Sequence, residues 1–257
     1  MRGALAVALA LAAGAARAEP APEPPRPATA PEATPWCAPE LEALADGLCS
    51  YAPEGESATR TLVVFLHGVI KPDTTWQYAQ ERAIVRGAKR HGFSVIMPRG
   101  RRGIGPKGMQ DFFTWPTSVK AQRAVEAELL AEWWSARAAL EARSGRPFER
   151  VYLVGFSNGA YYAASLALRG KLAVDGYALF AGGAGARYLV GPAKHTRRRP
   201  PIYVGYGLKD PAHHDPESLA RALDELGWRH RARARRGVGH TMTDAGLAEA
   251  LDFFRGR

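Results

Sequence analysis

Residues 151–162, with the sequence VYLVGFSNGAYY, decide the fold. Four apolar residues typical of a strand, 151–154, lead into Gly-Phe-Ser-Asn-Gly, and residues 160–168 are typical of a helix. A strand, a sharp turn and a helix around G-x-S-x-G predict a nucleophile elbow, in which Ser157 sits on a strained backbone with its hydroxyl raised. Gly155 and Gly159 leave room for the neighbouring strand and helix. An ordinary glycine-containing turn has the same pattern, so the rest of the chain must distinguish a nucleophile elbow from such a turn.

Segments on both sides of this stretch alternate between strand and helix patterns. Such alternation predicts an α/β protein with a mostly parallel, doubly wound sheet flanked by helices. The interval 182–200 is too short for a large lid domain and is expected to be a short covering loop. The predicted strands are 61–66, 93–97, 151–154, 176–181, 202–206 and 229–236, and the predicted helices are 76–90, 118–144, 160–168, 216–226 and 241–254.

A serine nucleophile needs a base that takes its proton and an acid that orients the base. In a doubly wound sheet these follow the serine along the chain, as Asp and then His, each after a strand. Asp210 follows strand 202–206 and His240 follows strand 229–236. The sequence therefore predicts Ser157, Asp210 and His240 as catalytic residues. Asp215 remains a less favoured alternative because it lies further from its strand.

The oxyanion formed in acyl transfer needs two hydrogen-bond donors. The backbone N–H of Asn158, directly after the serine, is predicted to be one of them. The other is expected from the loop after strand 61–66, at Val69. His67 follows the same strand but precedes the serine, and we expect it to shape this turn. A plain turn is the alternative interpretation of residues 67–68.

The motifs FLHG at 65–68, GFSNG at 155–159 and GVGH at 237–240, with Asp210, together resemble the α/β-hydrolase superfamily. Within it, residues 61–254 are similar to small exported serine esterases of the polyhydroxyalkanoate depolymerase, feruloyl esterase and carboxylesterase group. The resemblance implies a serine hydrolase that cleaves carboxylic esters through an acyl-enzyme intermediate. The residues after His67 are not the HGGG of many lipases, so a lipase-type oxyanion loop is not supported.

Two other functions remain open on the same residues. An acyltransferase or a peptidase would use the same Ser-His-Asp order. A non-catalytic protein on a hydrolase scaffold would instead bind an anionic polymer through its basic surface. The retention of all three catalytic residue types argues for an enzyme, with a small-molecule or polymer ester as its substrate.

Residues 98–117, PRGRRGIGPKGMQDFFTWPT, are too rich in Gly, Pro and Arg for regular structure and predict a long loop. Phe112, Phe113 and Trp115 either line a substrate pocket or pack this loop against the domain. Residues 103–108 match G-x-G-x-x-G, but they contain a proline and do not open a helix, so no dinucleotide site is predicted. The sequence implies no metal and no organic cofactor.

The N-terminal part of the chain has three segments. Residues 1–18 have a basic start, an apolar run and a small-residue cleavage site, which indicate a signal peptide. Residues 19–35 are a Pro-rich linker, and residues 36–257 are the expected α/β-hydrolase domain. We therefore expect export to the periplasm or the medium. In such a compartment Cys37 and Cys49, which flank a predicted helical segment at 39–45, are expected to form a disulfide; two free buried thiols are the alternative.

The chain carries a formal net charge of +10, and removal of the signal peptide, with Arg2 and Arg17 and no acidic residue, lowers it to +8. Export argues against nucleic acid as the partner of this basic surface. The alternating arginines of strand 229–236 form either a binding stripe or a charged sheet edge that prevents aggregation. No stretch approaches twenty apolar residues, so no membrane span is predicted. The oligomeric state is left undetermined.

Overall fold

The computed structural model describes residues 35–55, 58–184 and 187–256. The predicted signal peptide, 1–18, and the predicted linker, 19–35, lie outside these residues except for Pro35. No helix in the described part of the chain is long and apolar enough to cross a membrane.

The described residues form one eight-stranded sheet with the order β1-β2-β4-β3-β5-β6-β7-β8. The strands from β3 to β8 pair in parallel, and β1 and β2 add an antiparallel edge beside β4. The prediction of a mostly parallel sheet is confirmed. The strands are β1 Glu42–Ala45, β2 Leu48–Tyr51, β3 Thr61–Leu66, β4 Ser94–Pro98, β5 Arg150–Phe156, β6 Gly176–Phe180, β7 Ile202–Gly207 and β8 His230–Arg235.

Helices cover both faces of the sheet. On one face α1 and α6 pack through side chains such as Ile84 and Leu251 against Val63 and Phe65 of β3. On the other, α2 to α5 pack against Leu62 and its same-face neighbours. A strand buried on both faces must be apolar throughout, which explains the continuous TLVVFL run. The helices are α1 Trp76–His91, α2 Val119–Ser144, α3 Asn158–Leu168, α4 Arg187–His195, α5 His214–Glu225 and α6 Asp244–Phe254.

Two local predictions are wrong. Residues 39–45 were expected to be helical, but β1 lies there and pairs with β2. Gly47 adopts a φ of 69°, which allows the tight turn that a helix prediction cannot anticipate. The interval 182–200 was expected to be a loop, yet it contains α4, whose Leu189 and Ala193 are buried in the core. Within residues 35–55, 58–184 and 187–256 no large lid is present, as predicted.

The predicted disulfide between Cys37 and Cys49 is present. It joins the segment before β1 to β2 and so fastens the N-terminal edge of the domain. No free cysteine remains among the described residues, so the alternative of two buried thiols is wrong.

Arg229, which directly precedes β8, and the arginines of β8 lie against helix α6. The Arg235 guanidinium is 2.8 Å from the Glu249 carboxylate. The guanidinium groups of Arg229 and Arg231 lie 5.1 Å and 4.7 Å from the centre of the Phe253 ring. Since β8 is the last strand of the sheet, these residues both attach α6 and place charge at the sheet edge.

A buried carboxyl lies beside the disulfide. Glu81 of α1 is only 3% exposed and accepts a hydrogen bond of 2.9 Å from the Ala38 backbone N–H. Its other oxygen lies 3.3 Å from Cys49 Sγ. Burial raises the pKa of Glu81 to about 7. Between pH 4.5 and about 7, the Glu81 carboxyl is therefore protonated in the folded protein and ionised in the unfolded chain.

We expect Glu81→Gln to remove a pH-dependent loss of stability. A raised carboxyl pKa contributes stability that is complete below pH 4.5 and is lost as the pH rises towards 7. Glutamine stays neutral and can still accept from Ala38. Between pH 5 and pH 8, the free energy of unfolding of wild type should therefore fall by about 2 kcal/mol relative to that of the variant. Urea unfolding across this range measures the difference. Equal pH slopes in the two proteins would contradict the assignment; the exposed Glu225→Gln serves as the control.

Candidate active site

The predicted elbow is formed by the direct succession of β5, Ser157 and α3. Ser157 has φ 52° and ψ −121°, a conformation that L-residues rarely adopt. A Cβ atom on Gly159 would lie 2.2 Å from the Leu66 carbonyl oxygen, and one on Gly155 would lie 2.5 Å from the Gly159 oxygen. The two glycines of the motif are therefore required by backbone contacts on either side of the serine.

The structure brings Ser157, His240 and Asp210 into one hydrogen-bonded line. His240 Nε2 lies 2.9 Å from Ser157 Oγ, and His240 Nδ1 lies 2.6 Å from Asp210 Oδ2. Because a carboxylate only accepts, Nδ1 carries the proton and Nε2 is free to accept the serine O–H. The three side chains come from the carboxyl ends of three strands: β5, β7 and β8.

The Asp210 carboxylate is buried, and each of its oxygens has a hydrogen-bond partner. Its side chain is 3% exposed, and its second oxygen accepts from the Ala212 N–H at 3.0 Å. The alternative acid, Asp215, accepts a hydrogen bond from the Tyr161 hydroxyl instead. The geometry therefore places Asp210, and not Asp215, against the imidazole.

The loop after β3 lies directly beside the nucleophile. A Cβ atom on Gly68 would be 3.2 Å from Ser157 Cβ. The Gly68 N–H donates to Gln80 Oε1 at 2.7 Å, and the Ile70 N–H donates to the Phe113 carbonyl at 3.1 Å. Between them, the Val69 N–H has no acceptor in the described part of the chain. Asn158 opens α3, where first-turn N–H groups lack intrahelical acceptors.

His67 fixes the shape of this loop. It is buried, its Nε2 accepts from the Gly100 N–H at 2.9 Å, and its Nδ1 pairs with the Gly68 carbonyl. Burial lowers the pKa of His67 to about 4, so the ring is neutral at physiological pH. His67 thereby ties the loop after β3 to the loop after β4.

The aromatic residues of the long loop have different positions. Trp115 is fully buried, donates its indole N–H to the His67 carbonyl at 2.8 Å and stacks with Tyr162. It packs the loop and cannot line a substrate pocket. Phe113 contacts Trp36 edge to face and borders a cavity of about 170 Å³. Phe112 is partly exposed. The packing interpretation therefore holds for Trp115, and Phe113 borders a cavity beside the loop after β3.

Sequence reasoning missed several contacts of the site. Gln80 hydrogen bonds to Gly68, and the Trp36 ring lies 5.2 Å from the His67 ring. Neither residue belongs to a motif, and no pattern in the sequence indicates either contact.

Three side chains that could bind a metal ion lie at the start of α5. The side chains of His213, His214 and Glu217 offer ligand atoms within 4.8 Å of one another. His213 Nδ1 already pairs with the Asp210 carbonyl at 2.7 Å, and the side chain of His214 is 77% exposed. Nothing else in the described residues there points to an ion.

A parallel sheet with a strained elbow serine, a histidine and a buried aspartate at its carboxyl edge defines an α/β-hydrolase of the serine-esterase type. Residues 47–188 match the family model described as esterase PHB depolymerase, and the chain belongs to that family. The expected class, a serine hydrolase of carboxylic esters, is the class of this family. The match ends before Asp210 and His240, so their placement depends on the geometry above.

One curated protein and two solved structures illustrate what the chain is similar to. An acyl-protein thioesterase 1 from Eremothecium gossypii is 27% identical over 121 residues, which are 45% of this chain and 51% of that protein. The chain thus matches about half the length of this relative. The crystal structure of esterase PE8 has 23% identity and a TM-score of 0.55, covering 77% of this chain and 93% of its own. Arabidopsis thaliana SOBER1 has 16% identity and a TM-score of 0.55, covering 76% and 98%. The structural matches establish the fold.

Proposed function

We propose that the protein is an exported serine hydrolase that cleaves carboxylic esters through Ser157, His240 and Asp210, with an acyl-enzyme intermediate. The observation that carries the proposal is the continuous line from Ser157 Oγ to His240 and on to Asp210, with distances of 2.9 Å and 2.6 Å. These are the contacts that proton transfer from the hydroxyl to the imidazole requires.

The first half of the reaction forms the acyl-enzyme. His240 Nε2 takes the Ser157 proton as Oγ attacks the ester carbonyl carbon. The oxygen that becomes negative is stabilised by the N–H groups of Val69 and Asn158. His240 then gives its proton to the departing alkoxide, and the alcohol leaves. In the second half, His240 activates water in the same way and the acid is released.

Asp210 supports the charge that His240 carries between these steps. Its carboxylate is almost completely buried and lies 2.6 Å from Nδ1. A fixed negative charge in this position orients the ring and stabilises the imidazolium. We therefore expect it to act through His240 without contacting the substrate.

The exposure of the site favours soluble or polymer-end esters. The His240 side chain is 44% exposed, and Ser157 is half-buried. The family description names an esterase and depolymerase, and the curated relative is named a thioesterase; esterases and thioesterases break the bond between a carbonyl carbon and the oxygen or sulfur atom attached to it. An open site with no large lid admits a polymer end as readily as a small ester.

Two observations support export. Residues 1–18 have the pattern of a signal peptide. A disulfide between Cys37 and Cys49 is stable in an oxidising compartment and rare in the reducing cytosol. We include export to the periplasm or the medium in the proposal, and the N-terminal sequence of the secreted protein tests it.

A fluorophosphonate probe tests the nucleophile directly. We expect mass spectrometry of the labelled, purified protein to find one adduct, on the peptide that contains Ser157. Replacement of His240 by alanine should prevent labelling, because the hydroxyl then has no base. A folded protein that takes no adduct, or takes it on another serine, would contradict the proposal.

A further inference from the structure

A small cavity lies on the α1 side of the catalytic residues. Its volume is about 160 Å³. Most of its wall is carbon: the methyl groups of two alanines, the rings of two phenylalanines and a methionine side chain. It is bordered by Ala79, Gln80 and Ala83 of α1, by Phe65 of β3, by Phe156 at the end of β5, and by Thr241 and Met242.

The walls of this cavity are the chain neighbours of the catalytic residues. Phe156 directly precedes Ser157, and Thr241 directly follows His240. The Phe156 ring lies 5.2 Å from the His240 ring. Gln80 also accepts from the Gly68 N–H, and Gly68 packs on Ser157. Neither Ser157 nor His240 lines the cavity, but the residues next to each of them in the chain do.

The chemistry of ester cleavage decides which part of a substrate lies here. His240 must give its proton to the leaving oxygen, so the alcohol departs on the imidazole side. The carbonyl oxygen faces the N–H groups of Val69 and Asn158. A cavity walled by the residue after His240 and by a ring against its imidazole lies on the alcohol side.

Resting on the function proposed above, we propose that this cavity binds the alcohol part of the ester and selects for compact, apolar alcohols. We name it the alcohol pocket. Its volume equals that of about five water molecules in the liquid, which leaves room for an alkyl group of roughly four or five carbon atoms. Apolar walls favour such a group over a polyhydroxy alcohol because burial removes its carbon surface from water.

The test uses esters that share one acyl group. Methyl acetate, butyl acetate and glyceryl monoacetate all give the same acetyl-enzyme, so deacylation is identical and differences in kcat/KM come from acylation. Wild type should prefer butyl acetate to glyceryl monoacetate. Ala83→Leu fills the pocket and should lower kcat/KM for butyl acetate at least about tenfold, with less than about a twofold change for methyl acetate.

Matched variants separate this effect from damage to the fold. Ala245→Leu makes the same change at an exposed site of α6 that does not border the pocket, and it should leave all three esters unchanged. Met242→Ala should enlarge the pocket and shift the preference to longer alcohols. If Ala83→Leu does not fold, Ala79→Leu fills the pocket from an exposed position.

The outcomes are distinct. If Ala83→Leu spares butyl acetate and impairs methyl pentanoate, the cavity holds the acyl chain and the proposal is wrong. If no ester responds, the cavity is not used and the proposal is equally wrong. In both cases fluorophosphonate labelling of Ser157 persists and the proposed function stands. If the probe does not label Ser157 in the wild-type protein, the proposed function itself is wrong, and so is the proposed role of the pocket.

Discussion

Ser157→Ala is expected to lower kcat for ester hydrolysis by about 10⁴- to 10⁶-fold while leaving the fold intact. Alanine lacks the oxygen that forms the acyl-enzyme, and no other described group lies in hydrogen-bonding contact with His240 Nε2 to replace it. The change removes one small oxygen, so the melting temperature should stay close to that of wild type. Steady-state rates with a chromogenic acetate ester, on protein checked by circular dichroism, measure the loss.

Removal of the partners should show that the three residues act as a unit. We expect His240→Ala to lose nearly as much activity as Ser157→Ala, and the double variant to lose hardly more than either. Asp210→Asn should cost somewhat less, because the ring keeps a hydrogen-bond partner but loses the charge. Ser144→Ala, at the end of α2, is the control and should be fully active. Additive losses in the double variant would show that the residues do not work together.

Gly159→Ala is expected to destabilise the protein by more than about 3 kcal/mol or to prevent folding. The added Cβ would lie 2.2 Å from the Leu66 carbonyl oxygen and 2.7 Å from that of His67. Both are backbone atoms at the end of β3, so no side chain can rotate away. Relief of the clash would require α3 to move and would draw Ser157 away from His240.

The matched control for this prediction is Gly191→Ala. Gly191 lies within α4, and a Cβ atom there would meet nothing within 4 Å. Alanine in a helix is favoured over glycine by up to about 1 kcal/mol, so this variant should be neutral or slightly stabilised. Urea unfolding of both variants makes the comparison. Equal stability of the two would mean that the elbow tolerates a side chain at residue 159.

The sequence predicted the parts of this protein that depend on local pattern and chain order. Buried parallel strands are continuously apolar, so the runs TLVVFL and VYLV predict two of them. The order Ser, Asp, His after successive strands placed the catalytic candidates because parallel strands bring their carboxyl ends to one edge. Steric crowding at the elbow predicts glycine at residues 155 and 159. In the structure, a Cβ atom at either position would collide with a backbone oxygen.

Features that depend on distant partners could not be predicted. The β1–β2 hairpin forms because β2 pairs with β4, about fifty residues away along the chain, and no local pattern shows this. Trp115 became a core residue because Trp133 and Tyr162 meet it in the folded domain. The hydrogen bond between Gln80 and the Gly68 N–H likewise depends on the packing of α1 beside the loop after β3. Packing between distant segments decided these positions.

The two ends of the described chain lie near opposite ends of the parallel strands. This matters when the protein is attached to a surface. Trp36 lies beside His67, at the end of the sheet that carries Ser157. Phe254 stacks on Tyr152 and lies against Gly176, where β5 and β6 begin. A resin, electrode or display anchor joined after Phe254 would therefore leave the proposed active site facing the solution. The same anchor joined just before Trp36 would bring the support close to that site and hinder the largest substrates first.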